Sequence, residues 1–126
     1  MNTINLKEKF SQFQDYWNPR IAGALNGQYV KLVKFKGSFT WHHHATEDEL
    51  FMVVKGRFRM AYRDESSGHD EETIWVEKGE MIIVPRGIEH CPVAEEECHV
   101  LLFEPASTLN TGNTENELTR KNLARI

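Results

Sequence analysis

Cysteine is scarce in this chain: Cys91 and Cys98 are its only two. Two thiols are too few for the disulfide scaffold on which small secreted domains rely. They do not form a CxxC pair, which removes thioredoxin-type redox work. No phosphate-cradling GxxxxGK[ST] and no GxSxG elbow occur, so nucleotide hydrolysis and α/β-hydrolase chemistry are excluded as well. Cations are not in excess. Fifteen Lys and Arg against nineteen Asp and Glu leave a net charge of −4, which argues against nucleic acid or an anionic membrane as partner. No apolar run approaches the length of a membrane-spanning helix, and residues 1–10 lack the apolar core of a signal peptide. A cytoplasmic location is therefore expected. With 126 residues, 40% hydrophobic and 27% charged, the chain suits one globular domain with one core.

Three segments are expected: a helical one over residues 1–19, a β-sandwich or β-barrel domain over 20–106, and a polar tail over 107–126. Leu6, Phe10, Phe13 and Trp17 recur at spacings of four, three and four, the period of one helix face. Asn5 is placed to cap that helix with Glu8 three residues on, and Pro19 is placed to stop it. From Ile21 onward the pattern changes to short β-branched and aromatic runs. They cover residues 29–35, 39–44, 50–54, 58–62, 74–76, 81–84, 88–93 and 98–103, with turn residues between most of them. Many short strands with no long helical pattern between them predict an all-β sandwich or barrel. The run from Phe51 to Val54 is apolar on both sides, so a cover is expected over its outer face, supplied by the N-terminal helix or by a second subunit; a homodimer is the expected assembly. The tail has few apolar anchors and is expected to fray or to wrap a neighbour. Glu95 to Glu97 is expected to be a solvated hairpin loop, as are residues 64–72, which include His69.

Chemistry concentrates in the histidines. His42, His43 and His44 are consecutive, and in extended backbone His42 and His44 share a face while His43 points away. Glu49 begins an apolar strand, where a carboxylate is costly unless paired or coordinated. His90 follows a Pro85-Arg86-Gly87 turn and begins another strand. Three imidazoles and a carboxylate suit iron, manganese, nickel, copper or zinc better than calcium or magnesium. Packing accounts for His43, His99, Phe58, Met60, Trp41 and Trp75. Tyr62 could also bring a hydroxyl near substrate. Cys91 and Cys98 read as buried small hydrophobes, and Arg57, Arg59 and Arg63 as a solvated face.

These residues carry a family resemblance. Gly37, His42-x-His44, Glu49 and Gly56 resemble the first cupin motif, and Gly79, Pro85, Gly87 and His90 resemble the second. The likeness covers about residues 28 to 105, and is nearest to the small single-domain cupins often labelled mannose-6-phosphate-isomerase-like. Ala94 stands where the second motif often carries asparagine. The resemblance implies a double-stranded β-helix, or jelly-roll barrel, with a short N-terminal helix. It also implies a transition metal held inside on His42, His44, Glu49 and His90. The function so implied is a metal-dependent enzyme acting on a small organic molecule, of dioxygenase, isomerase or epimerase, or lyase type. In it Glu49 could double as a catalytic base. The alternative is a non-catalytic cupin that binds or senses a small molecule.

Overall fold

A computed structural model describes residues 1–68 and 70–126. The expectation for His69 lies outside the described residues. Among the described residues, α1 (Leu6–Phe10) is followed by seven strands: β1 (Arg20–Leu25), β2 (Gln28–Ser38), β3 (Glu49–Lys55), β4 (Arg57–Arg63), β5 (Glu72–Glu77), β6 (Met81–Val84) and β7 (Glu89–Pro105). All pairings between these strands are antiparallel. One sheet runs β1-β2-β7-β3-β6, and β4 joins β5 to the first half of β7. The result is the all-β jelly-roll barrel that the sequence predicts.

Local chemistry accounts for these elements. Asn26 and Gly27 both have positive φ (51° and 75°), the backbone of the two-residue turn whose twist matches paired strands, and Leu25 duly pairs with Gln28. The 17-residue β7 is the backbone of the barrel. Its first residues pair with β4 and its last with β3, while β2 runs beside both parts. Glu95, Glu96 and Glu97 do not form a hairpin loop. They sit exposed within β7, where the register with β2 shifts between the Gly37–Ala94 and Phe35–Cys98 pairs. A bulge absorbs the extra residues and lets the strand bend from one sheet to the other.

The interior is filled by Val33, Phe35, Phe51, Val53, Phe58, Met60, Val100 and their neighbours. An outer cluster of Phe10, Phe13 and Leu32 packs with Val54 and Leu101. The cover expected over the outer face of β3 thus comes, at Val54, from the N-terminal segment of the same chain.

Two expectations about the ends need correction. The helix ends at Phe10 and does not reach Trp17. The Asn5 cap forms as expected, its side chain accepting from the Glu8 N–H at 2.9 Å. Beyond Ser11, however, tertiary contacts override the periodicity. Phe13 joins the outer cluster while Trp17 enters the inner one, two destinations that one helix face could not serve. Trp17 is left with φ +59°, its backbone N–H donating to Lys34 O (2.9 Å) and its indole to Lys36 O (2.9 Å). The C-terminal segment does not fray either. It folds back on its own chain, with Ile126 N–H donating to Ile21 O and Asn113 N–H to His43 O. Leu118 packs on the inner cluster and Ile126 on the outer one, and polar side chains add to these anchors: Asn110 bonds Leu118 O and the Arg120 N–H, and the Thr111 and Thr119 hydroxyls bond each other.

Candidate metal centre

His42, His44, Glu49 and His90 converge in the barrel. All four are buried, and one donor atom from each lies within 4.8 Å of the others. That spread is close to twice a metal–nitrogen bond of roughly 2.1 Å.

The backbone explains the convergence. Residues 39–48 form a loop, not the strand expected over 39–44, and a single bridge organises it. His42 and His90 exchange both backbone hydrogen bonds, at 3.1 and 2.9 Å. The Gly87 N–H donates to His44 O at 2.8 Å. Gly87 itself has φ +83° in the turn closed by Ile88 N–H to Pro85 O, a position that favours glycine. The alternation expected of the three histidines survives without the strand. His42 and His44 point inward, while His43 is half-exposed with its ring 3.2 Å from Glu89.

Hydrogen bonds orient the rings. His42 Nδ1 lies 2.9 Å from Thr40 O, and His90 Nδ1 lies 2.8 Å from Ile88 O. A carbonyl can only accept, so each Nδ1 carries the proton and each Nε2 offers a lone pair. Glu49 Oε1 is 3.2 Å from His44 Nε2 and 3.4 Å from His90 Nε2. All three of these buried atoms lack a hydrogen-bond partner. Leaving buried polar atoms unsatisfied costs on the order of 1–3 kcal/mol each. A divalent cation between them would satisfy all three at once, and this donor set suits a transition ion.

Burial, followed by the charge of His90, pushes the His42 imidazole down to about 3 from an ordinary 6.5; Thr40 O and Glu49 oppose this. His42 is therefore neutral at pH 7, as a ligand must be. The sign of the linkage follows. The unfolded chain takes up this proton near 6.5 and the folded protein only near 3. The stability contribution is complete above 6.5 and is lost as pH falls toward 3, at about 1.4 kcal/mol per unit. Urea unfolding of metal-free protein at pH 7, 6 and 5 is expected to show this decline. His42→Asn is expected to flatten it, and an identical slope in that variant would contradict the assignment.

A family profile described as Cupin_2, Cupin domain, matches residues 29–104. The chain is a cupin. A solved cupin-2 domain protein from Shewanella frigidimarina NCIMB 400 is 42% identical, with a TM-score of 0.74 over 81% of this chain and 93% of that one. The uncharacterized protein YdbB of Bacillus subtilis is 29% identical over 85 residues, 68% of this chain. The match spans 64% of that relative's length. Hydroquinone 1,2-dioxygenase from Sphingomonas sp. TTNP3, solved with 4-nitrophenol, superposes with a TM-score of 0.73 over 84% of this chain and 33% of that one. At 18% identity that likeness speaks for the fold alone.

In this cupin His42 and Glu49 form part of the wall of a cavity of about 30 Å³, and Trp17, Phe35, Phe39 and Phe51 line much of the rest. Trp17 stacks on Phe35 and Phe39, at 4.4 and 4.8 Å between ring centroids. Asn110 is the one polar lining residue besides His42 and Glu49, and its side chain is engaged by Leu118 O and the Arg120 N–H.

Other candidates lie elsewhere. Tyr62 donates to Glu72 at 2.6 Å and lines a separate groove with Ile74 and Ile83. His99 stacks on Phe10 and bonds Glu97 at 2.8 Å. Arg57 lies over Trp75 and Arg63 over Trp41, so Trp75, at 40% exposure, belongs to the surface. Cys91 and Cys98 are free and buried, and burial pushes the Cys98 thiol up to about 12. Neither supplies a thiolate at neutral pH.

Sequence reasoning passed over Lys31 and Glu104. Their side chains are each 1% exposed and are joined at 2.7 Å. Glu104 is also buried beside Glu49, one residue beyond the Leu50–Phe103 pair of the β3–β7 ladder. Burial, then the charge of Glu49, pushes the Glu104 carboxyl well above the usual range, with Lys31 opposing. Burial would raise Glu49 too, but the neighbouring Glu104 carboxyl, followed by the His44 and His90 rings, holds it well below the usual range. Glu104 Oε2, like Glu49 Oε1, has no hydrogen-bond partner. A signal existed in the sequence: Lys31 and Lys34 interrupt the apolar run from Tyr29 to Phe35, and both are buried.

Proposed function

We propose that this cupin is a metal-dependent oxygenase of dioxygenase type acting on a small, largely apolar organic molecule. The metal would be held by His42, His44, Glu49 and His90. The observation that carries the reading is the pairing of unsatisfied ligand atoms with an aromatic cavity. Bound there, the ion supplies a site for dioxygen beside the substrate. The chain's own contribution is to orient the ligands through Thr40 O and Ile88 O, to exclude water with Trp17 and Phe39, and to pack the substrate against aromatic faces. Isomerase and epimerase chemistry on sugars needs hydroxyl-binding groups and a separately placed base. Besides His42 and Glu49, the lining offers only the committed Asn110. Glu49 as a base would first have to leave the ion.

The cavity holds little more than a water molecule, so a substrate must displace part of its wall. The positive φ of Trp17 marks it as the strained element of that wall. An oxygen electrode tests the reading, with iron-loaded protein and a panel of catechols, thiols and keto acids. Uptake that depends on one class of compound is expected. Tight binding of a panel member with no uptake at all would favour the non-catalytic binding alternative.

A further inference from the structure

The Lys31–Glu104 pair is a costly polar arrangement, because both charge-bearing side chains are almost wholly withdrawn from water. Its position is not arbitrary. The β3–β7 ladder pairs Leu50 with Phe103, and the next step along the same ladder brings Glu49 against Glu104. Lys31 comes from β2 on the other side of β7, where it pairs with Leu102. Its ammonium bonds Glu104 Oε1 at 2.7 Å and Thr108 O at 3.4 Å, which fixes the far oxygen of Glu104. The near oxygen is left to Glu49. A carboxylate has two oxygens and a freely turning end; one held from behind presents the other forward.

We propose that Glu104, backed by Lys31, is a positioning residue for the metal centre: it holds the Glu49 carboxylate so that Oε1 faces His44 and His90, and thereby sets the affinity of the site for its ion. The inference rests on the metal reading above and deepens it. A purely structural role would make the pair a packing element that apolar residues could replace without consequence for the ion.

The test is Co²⁺ binding followed by visible absorption, alongside thermal unfolding of the same metal-free samples. Lys31→Met/Glu104→Leu substitutes apolar side chains of similar size, a change that buried pairs commonly tolerate. This variant is expected to keep its unfolding temperature within a few degrees and to lose about 10–100-fold in Co²⁺ affinity, the usual effect of removing an outer partner of a ligand. Glu104→Gln keeps an acceptor for Lys31 and an N–H donor for Glu49. It is expected to bind Co²⁺ within about threefold of wild type, with the same d–d spectrum. A double variant that binds like wild type overturns the proposal, and so does a Glu104→Gln loss as large as that of the double variant. If the double variant does not fold, Glu104→Asp decides. It keeps a carboxyl for Lys31 but withdraws it from Glu49, so about a tenfold loss is expected and unchanged affinity overturns the proposal. Wild-type protein that binds no Co²⁺ overturns the metal reading, and this inference with it. Wild-type protein that binds while every variant binds equally overturns this inference alone.

Discussion

His90→Ala is expected to leave the protein folded and to lower metal affinity by more than the roughly 10–100-fold that follows loss of an outer partner. His90 is fully buried, yet the bond that ties its segment to the histidine loop is made by backbone atoms, which alanine keeps. What disappears is Nε2, one of the three donor atoms left without a partner. Removing an unsatisfied buried atom offsets part of the packing lost with the ring, so metal content should respond far more than stability. Glu49→Gln probes the same site through charge. It preserves shape but removes the one anionic ligand, and a similar loss is expected. Competition titration against a chelator, on protein made without a polyhistidine tag, measures both. Unchanged stoichiometry in either variant would show that the ion, if there is one, binds elsewhere.

Gly112→Ala is expected to be the most damaging single methyl group in the chain. Gly112 has φ +55°, and a Cβ built there would lie 2.2 Å from His43 O and 3.1 Å from the His42 ring. The left-handed backbone costs about 1–2 kcal/mol for a residue with a side chain. The larger cost is steric, because the atom in the way is backbone and cannot rotate aside. Relieving it means moving residues 42–43 or the segment that includes Asn113, which bonds His43 through both its N–H (3.1 Å) and its Oδ1 (2.8 Å). A destabilisation of about 3 kcal/mol or more is expected in urea unfolding, placing the change among the unusually large ones. Metal affinity should fall with it, since the displaced segment carries His42. A loss below about 1 kcal/mol, within the ordinary range for point changes, would mean that the C-terminal segment does not brace the site.

These two expectations differ in how visible they were in the sequence. The convergence of His42, His44, Glu49 and His90 was legible because two motifs stand in order along the chain, and because alternation places His42 and His44 on one side however the backbone is classed. The barrel was legible from strand runs and turn residues, down to the positive φ at Asn26-Gly27. Gly112 was not legible: its neighbour is the carbonyl of residue 43, and no local pattern records an approach across that separation. The Lys31–Glu104 pair was half legible: Lys31 interrupts an apolar run, but its ionic partner stands 73 residues away and no local pattern names it. Trp17 shows the opposite failure. The helical period in Leu6, Phe10, Phe13 and Trp17 is real, but two separate clusters compete for those rings and the helix ends at Phe10. The polar tail misled because amide and hydroxyl bonds add to the few apolar anchors it has, Leu118 on the inner cluster and Ile126 on the outer one.

Anomalous scattering from crystals of the protein, collected on both sides of the absorption edge of the metal it carries, tests the central claim most directly. The account predicts a single strong peak per chain, within bonding distance of His42, His44 and His90 and of a carboxylate oxygen of Glu49. A peak on the surface histidines His43 or His99, or none after loading with a transition metal, would contradict it.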